Sequence, residues 1–281
     1  MIRLIVCVLT CIHWIIILIP MTRYYHRHPE KYDEAACYRL ARKMVNIIQR
    51  HSRISTEIYG RENLPKEGGY IMYSNHQDRY DMLGIVSGHD EPCTMMIKMD
   101  RSKLPWVDEC VDLLHAKRVD QEDPRQAVTV INEIADEVRA GRRYVIFPEG
   151  RHDDNHNELL EFKHGCFKSA QKAQCPIVPV CLVDSWKSFT VNNLKSVRTQ
   201  VHFLKPIPYE EYKDLRSVEI AELVKSRIQE CMTEELQRRQ SEQNETYVFA
   251  REMGLIGAED PAIAPEGDVS LRRDDDHSYQ N

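Results

Sequence analysis

From residue 54 onward, short apolar runs alternate with longer stretches of helical periodicity. That alternation restricts the fold more than any other feature of the chain. Ile54–Tyr59, Tyr70–Ser74, Thr94–Lys98, Tyr144–Phe147, Ile177–Val183 and Val201–Leu204 are strand-length runs carrying β-branched and aromatic side chains. Pro124–Ala140 sets Val128, Ile131, Ile134, Ala135 and Val138 on one face. Pro124 suits a first helical turn and Gly141 a helix end. Pro105–Leu114, Phe167–Ala173 and a stretch from Asp214 or Ser217 to about Arg239 also read as helices. Strands joined through helical crossovers run in the same direction, and runs apolar on both faces need cover on both sides. The expectation for residues 53–240 is an α/β domain, a mostly parallel sheet flanked by helices.

Residues 1–52 have a different character. Leu4–Ile19 is apolar apart from Thr10 and His13, and it is followed by Pro20 and the cluster Arg23, Tyr24, Tyr25, His26, Arg27, His28. A perpendicular membrane span takes about 20 residues, so the length leaves both a spanning helix and a one-leaflet anchor open. Only Arg3 precedes the run, and no small-x-small cleavage site follows, so a retained anchor is expected rather than a signal peptide. The cationic flank then faces the cytoplasm, and so does the domain behind it. Cys37, Leu40, Ala41, Met44, Val45 and Ile48 recur at helical spacing, with Arg39, Arg42 and Lys43 on other faces. This amphipathic helix either lies on a membrane surface or covers the edge of the core.

The net charge of −6 is unevenly spread. Residues 1–50 hold eight basic and three acidic side chains, and residues 241–281 hold three basic and ten acidic ones. A basic front suits an anionic phospholipid surface, and the near-neutral body has no nucleic-acid footprint. Residues 241–281 lose periodicity and are expected to form a mobile acidic tail. The nine cysteines are odd in number and include no C-x2-C pair, which argues against a disulfide framework or a zinc site.

Asn75-His76-Gln77-Asp78-Arg79-Tyr80-Asp81 joins the run at 70–74 to Met82-Leu83-Gly84. This reads as strand, tight polar loop, helix start. A His and an Asp five residues apart can fold back on each other across such a loop. The carboxylate then accepts one imidazole N–H, fixes the tautomer, and leaves the other nitrogen free as a base. His76 is the candidate base and Asp81 the candidate orienting carboxylate, with Asp78 as a rival. No protein nucleophile is evident beside them, so the substrate is expected to bring its own hydroxyl. No phosphate-binding glycine motif is present, and no cofactor is expected. His152, Asp153, Asp154 and His156 read as a solvated polar loop, and no metal is expected.

Asn75-His76 with Asp81 resembles the N-H-x4-D motif of the glycerolipid acyltransferases, the family of 1-acylglycerol-3-phosphate O-acyltransferase. Phe147-Pro148-Glu149-Gly150 resembles the start of that family's F-P-E-G-T-R block, and Pro176–Val180 resembles its later V-P-V block. Lys117-Arg118 weakly resembles the second block, which ends in Arg, but the aromatic residue of that block is missing. The blocks stand in family order over roughly residues 55–210. One of them departs from the pattern. It continues Glu149-Gly150-Arg151-His152, without the Thr and with Arg one position early.

The resemblance implies an α/β domain behind an N-terminal membrane-associated helical element. It also implies transfer of a fatty acyl group from a thioester, of coenzyme A or acyl carrier protein, to a hydroxyl of 1-acylglycerol-3-phosphate, giving phosphatidate. Glycerol-3-phosphate, a lysophospholipid or another lipid-linked hydroxyl is the alternative acceptor. The partners implied are a phospholipid membrane, the acyl donor and the phosphorylated glycerol acceptor. His76 would be the base and Asp81 its orienting group, with Asn75 beside them. Lys117, Arg118 and Arg151 would meet a phosphate, Gly150 would let backbone N–H groups approach it, and Glu149 would hold the acceptor hydroxyl or brace the loop. A non-catalytic lipid-binding protein of the same fold is the rival from another class.

Overall fold

The computed structural model describes residues 2–103, 107–153, 155–191 and 193–253. The chain begins with α1 (Ile2–Arg27), α2 (Glu34–Ser52), β1 (Ile54–Tyr59), β2 (Tyr70–Ser74), α3 (Asp81–Gly88) and β3 (Thr94–Lys98). It continues with α4 (Met99–Ser102), α5 (Val107–Leu113), β4 (Lys117–Val119), α6 (Pro124–Arg139) and β5 (Arg143–Ile146). It ends with α7 (Lys168–Ala173), β6 (Ile177–Val183), α8 (Lys187–Thr190), β7 (Val197–Phe203), α9 (Tyr209–Tyr212) and α10 (Ser217–Glu252).

The strands form one seven-stranded sheet in the order β1-β7-β6-β2-β5-β3-β4. Every pairing is parallel except β6 with β7, so the sheet is mixed but mostly parallel. Alternation along each strand divides the core into two layers. Tyr70, Met72, Val145, Val178 and Val180 face α1, α2, α3 and α5. Ile71, Tyr73, Tyr144, Ile146, Ile177 and Cys181 face α6, α7 and the first half of α10. The central strand β2 is buried along its whole length, as a strand covered on both sides must be.

Local chemistry accounts for the helix ends. Asp33 caps α2 by accepting the Ala36 N–H (2.7 Å), and Asp123 caps α6 by accepting those of Arg125 and Gln126 (2.9 and 3.1 Å). Such a cap is worth about 1 kcal/mol.

Several elements differ from expectation. β4 is a strand that the periodicity does not reveal, because Lys117-Arg118-Val119 is short and mostly charged. β7 begins at Val197, four residues earlier than the apolar run. α10 continues past Arg239 to Glu252. The rest of the acidic tail, residues 254–281, lies outside the described residues. The chain divides into a unit over Met1–Met232 and a second over Thr233–Asn281. In the second unit, Glu235 pairs with Arg238 and Arg239 one helical turn away (2.6 and 3.1 Å).

α1 passes through Pro20 and reaches Arg27, which makes it long and apolar enough to cross a membrane. Yet it is bonded to the rest of the first unit at both ends. The buried Arg3 guanidinium donates to the carbonyls of Ser52 (2.9 Å), Asn193 (3.0 Å) and Lys195 (2.7 Å). At the far end Arg23 pairs with Glu109 (2.5 Å), and the His26 ring meets the Asp112 carbonyl (3.0 Å). Between these ties Ile5, Leu9, Ile12 and Ile16 form an outward stripe, with Leu9 66% and Ile16 67% exposed.

Candidate active site

Three loops meet at the carboxyl ends of the central parallel strands, where open α/β sheets hold their ligands. Residues 75–80 follow β2, residues 147–152 follow β5, and Asp184-Ser185 follows β6. The first loop is locked down before it reaches His76. Asn75 bonds across to β6 as a backbone group would. Its Nδ2 donates to the Leu182 carbonyl (2.9 Å), and its Oδ1 accepts the Leu182 N–H (2.8 Å). Gln77 reaches the same Leu182 carbonyl (2.9 Å), donates also to Asn157 Oδ1 (3.0 Å) and accepts the Ser185 N–H (2.8 Å). Asn75 and Gln77 are buried, whereas the His76 side chain between them keeps 22% of its surface.

His76 Nδ1 lies 2.7 Å from Asp81 Oδ2. The buried Asp81 carboxylate also accepts the N–H groups of Gln77 (2.5 Å) and Asp78 (3.1 Å) and the Ser185 hydroxyl (2.5 Å). An ionised carboxylate only accepts, so the shared proton sits on Nδ1 and Nε2 carries the free lone pair. Asp78 does not compete for the ring. Its oxygens take the backbone N–H groups of Arg79 (2.7 Å) and Phe189 (3.3 Å). Phe147 stacks on His76 with ring centroids 4.4 Å apart, and His152 meets the ring edge-on at 4.8 Å. Burial lowers the His152 pKa, and His76, Arg101 and Arg79 add to the effect.

Glu149 is buried at the end of the β5 loop, and neither carboxyl oxygen has a hydrogen-bond partner among the described residues. Burial above all, with the charge of Asp81 adding to it, pushes its carboxyl up to about 8, against the pull of the His76 and Leu160 backbone. Gly150 has φ +67°, and a Cβ there would stand 2.9 Å from both Gln121 Nε2 and Lys163 Nζ. The positive φ favours glycine, whereas the two atoms a Cβ would meet are the far ends of flexible side chains that can give way.

Of the remaining residues expected at the site, Lys117 and Arg118 are not gathered beside His76. Lys117 and Arg118 lie on β4, three strand spacings or about 14 Å from β2. Strand alternation also points them to opposite sides of the sheet. Lys117 pairs with Glu133 and Glu137 of α6 (2.8 Å each). Arg118 pairs with Asp108 and Asp112 of α5 (2.7 and 2.6 Å) and donates to Ser102 (3.1 Å). Adjacent strand residues do not share a face, so the two side chains meet different carboxylates. Arg151 is 70% exposed and pairs with Asp153 (3.1 Å).

Four residues of the site escape sequence reasoning. Gln77 lies inside the recognised loop but carries no chemical signal of its own. Ser185 is 104 residues from the carboxylate it bonds. Phe147 and His152 come to His76 only because β5 pairs with β2. Among the described residues, no group of three or more His, Cys, Asp or Glu side chains is placed to hold a metal ion. A cavity of about 260 Å³ opens beside the loop, between Gln77, Arg79, His152, His156, Trp186 and Leu4 of α1.

Comparison with known proteins places this geometry in context. Residues 55–183 match the family model described as Acyltransferase. The chain is 31% identical over 183 residues to 1-acyl-sn-glycerol-3-phosphate acyltransferase alpha of Ovis aries, covering 62% of each chain. It is 28% identical over 200 residues to the 1-acyl-sn-glycerol-3-phosphate acyltransferase of Saccharomyces cerevisiae, covering 69% of this chain and 65% of that protein. The chain thus spans about 62% of the length of the sheep relative. The crystal structure of the 1-acyl-sn-glycerophosphate acyltransferase PlsC from Thermotoga maritima superposes with a TM-score of 0.59 at 18% identity, over 70% of this chain and 78% of that one. At that identity the likeness is one of fold.

Proposed function

We propose, given that residues 55–183 form a domain of the acyltransferase family, that the chain is a membrane-associated O-acyltransferase. It moves a fatty acyl group from a thioester to the free hydroxyl of 1-acylglycerol-3-phosphate and releases phosphatidate. The observation that carries this reading is the His76–Asp81 pair, in which a carboxylate held by four donors leaves Nε2 open.

His76 Nε2 takes the proton of the acceptor hydroxyl as its oxygen attacks the thioester carbonyl. The C–S bond then breaks, and the proton goes to the leaving thiolate. Asp81 keeps the ring in one tautomer and stabilises the imidazolium that forms between the two steps. Glu149, with its carboxyl raised to about 8, is largely protonated near neutral pH and serves as a hydrogen-bond donor to a reacting oxygen. The donor is an acyl thioester of coenzyme A or acyl carrier protein.

The outward stripe of α1 and the ties at both of its ends support a helix that lies along one leaflet. The basic cluster from Arg23 to His28 then sits at the cytoplasmic interface. This brings the site to the surface where the lipid acceptor resides. The departure at Arg151-His152 makes a different phosphorylated or lipid-linked acceptor the second reading.

The test is transfer of a labelled acyl group in liposomes, wild type beside His76→Ala, with 1-acylglycerol-3-phosphate and then a panel of acceptors. Phosphatidate from the wild type and none from the variant supports the reading. Turnover only with another acceptor replaces the substrate, and undiminished turnover by folded His76→Ala overturns the mechanism.

A further inference from the structure

The cations that the sequence offers for a phosphate are paired with carboxylates. Lys117, Arg118 and Arg151 each hold at least one carboxylate within 3.1 Å. Arg79 does not. It is exposed, and among the described residues its guanidinium makes neither an ion pair nor a hydrogen bond. It stands three residues after His76 in the loop that Asn75 and Gln77 clamp to β6, and it lines the cavity of about 260 Å³ beside that loop. His152 lines the same cavity while its ring meets His76 at 4.8 Å. Trp186, with His156 stacked on it at 3.9 Å, and Leu4 of the apolar helix α1 also line it.

Among the described residues, the two carboxylates lining this cavity already have partners. Asp78 accepts the backbone N–H groups of Arg79 and Phe189, and Asp153 pairs with Arg151 (3.1 Å). What remains unmatched is one guanidinium and two imidazoles, a set that recognises a phosphate monoester.

We propose that this cavity is the subsite for the phosphate of the acceptor, with Arg79 as its principal ligand and His152 as a second hydrogen-bond donor. The proposal rests on the acyl-transfer reading above, and the geometry fits that reaction. In a glycerol phosphate, the hydroxyl next to the phosphorylated carbon is four bonds from phosphorus, a reach of roughly 5 Å with bonds near 1.5 Å. That is about the separation of the His76 and His152 rings. An acceptor whose phosphate meets Arg79 and His152 therefore presents its hydroxyl to His76. Its acyl chain leaves past Leu4 along α1, toward the lipid.

The test uses the full chain in detergent micelles, comparing wild type with Arg79→Gln and Arg79→Lys. Two acceptors are assayed, 1-acylglycerol-3-phosphate and the monoacylglycerol that lacks the phosphate, and glycerol 3-phosphate binding is measured separately by calorimetry. One charge-assisted hydrogen bond is worth about 1.5–3 kcal/mol, or roughly 10- to 100-fold. Arg79→Gln is therefore expected to lower the preference for the phosphorylated acceptor by that factor, through KM rather than kcat, and to weaken glycerol 3-phosphate binding in parallel. Arg79→Lys should keep part of both, because it retains the charge and loses the planar fork.

Unchanged preference and unchanged glycerol 3-phosphate affinity in Arg79→Gln overturn the proposal. So does a rise in KM confined to the acyl donor, which would assign the cavity to a phosphate of that substrate. If the wild type binds glycerol 3-phosphate through Arg79 yet transfers no acyl group, the subsite stands and the acyl-transfer reading falls. If transfer proceeds and Arg79 is irrelevant to it, the reverse holds.

Discussion

The Ser185 hydroxyl donates to Asp81 Oδ1 at 2.5 Å, while His76 holds Oδ2 of the same carboxylate at 2.7 Å. One oxygen is thus anchored to the end of β6 and the other to the ring. Because both Asp81 and Ser185 are buried, no solvent molecule can take over the anchor without rearrangement. Ser185→Ala should lower kcat about ten-fold with little change in KM, and should destabilise the fold by about 1–3 kcal/mol. Because Ser185 acts through Asp81, the pH–rate profile should also move. A variant that loses stability while keeping the wild-type kcat and profile would reduce Ser185 to a structural strut.

His76→Ala should lower kcat by about 10²–10⁴-fold, the usual contribution of a positioned base. Its fold should persist, since Asp81 keeps the Gln77, Asp78 and Ser185 donors when the ring is removed. Circular dichroism and thermal unfolding beside the activity assay separate loss of chemistry from loss of structure.

Asp81→Asn should lower kcat by a similar factor and, unlike His76→Ala, should also destabilise. With its oxygen at the Oδ2 position the amide keeps the Gln77 and Asp78 N–H groups and can donate to the Ser185 hydroxyl, so what is lost is the charge that strengthens these buried hydrogen bonds. Asp78→Asn should leave the ring bond intact, because among the described residues the Asp78 carboxylate accepts only the backbone N–H groups of Arg79 and Phe189. If Asp78→Asn proves the more damaging to kcat, the assignment of the orienting carboxylate is reversed.

Glu149 should make the fold less stable as pH rises. Its carboxyl is raised to about 8 from an ordinary 4.5, so between those values the unfolded chain releases a proton that the folded one retains. Stability is therefore highest below pH 4.5 as far as this group is concerned, falls through the window, and levels off above 8. The penalty is of the order of a few kcal/mol. Glu149→Gln, which cannot ionise, should flatten this part of the profile and be relatively more stable at high pH. Urea unfolding of both proteins at several pH values checks it, and parallel profiles would show that Glu149 does not titrate in this way.

Replacing both Leu9 and Ile16 with Lys should weaken liposome binding without unfolding the chain. Both side chains are about two-thirds exposed and so contribute little to the protein's own core. Each large aliphatic side chain buried in lipid is worth roughly 1.5–3 kcal/mol, so partitioning should fall by more than a hundredfold. Flotation with vesicles measures it, and undiminished flotation would remove the stripe from the membrane contact.

Much of the fold was legible in the linear chain, because its periodicities report burial directly. A run such as Ile177–Val183, apolar at every position, has to be covered on both faces, and β6 has those bounds. The helix from Pro124 was equally plain, since its start, apolar face and stop are all encoded within its own residues. β4 was not legible, because three mostly charged residues at a sheet edge carry no apolar pattern.

The same distinction runs through the site. His76 and Asp81 could be paired from the sequence because their contact closes within a single loop, and five residues of chain hold them together. Ser185, Phe147 and His152 could not, since nothing local links them to His76. They arrive through the order β6-β2-β5, which sets three loop ends side by side. Lys117 and Arg118 show the converse. Adjacent in sequence, both were expected to meet a phosphate, yet a β-strand turns neighbouring side chains to opposite faces, and each met a different pair of carboxylates. Local sequence specifies contacts whose closure costs little chain entropy. Contacts between distant segments depend on which strands pair, and that was decided by the packing of the whole sheet against its two layers of helices.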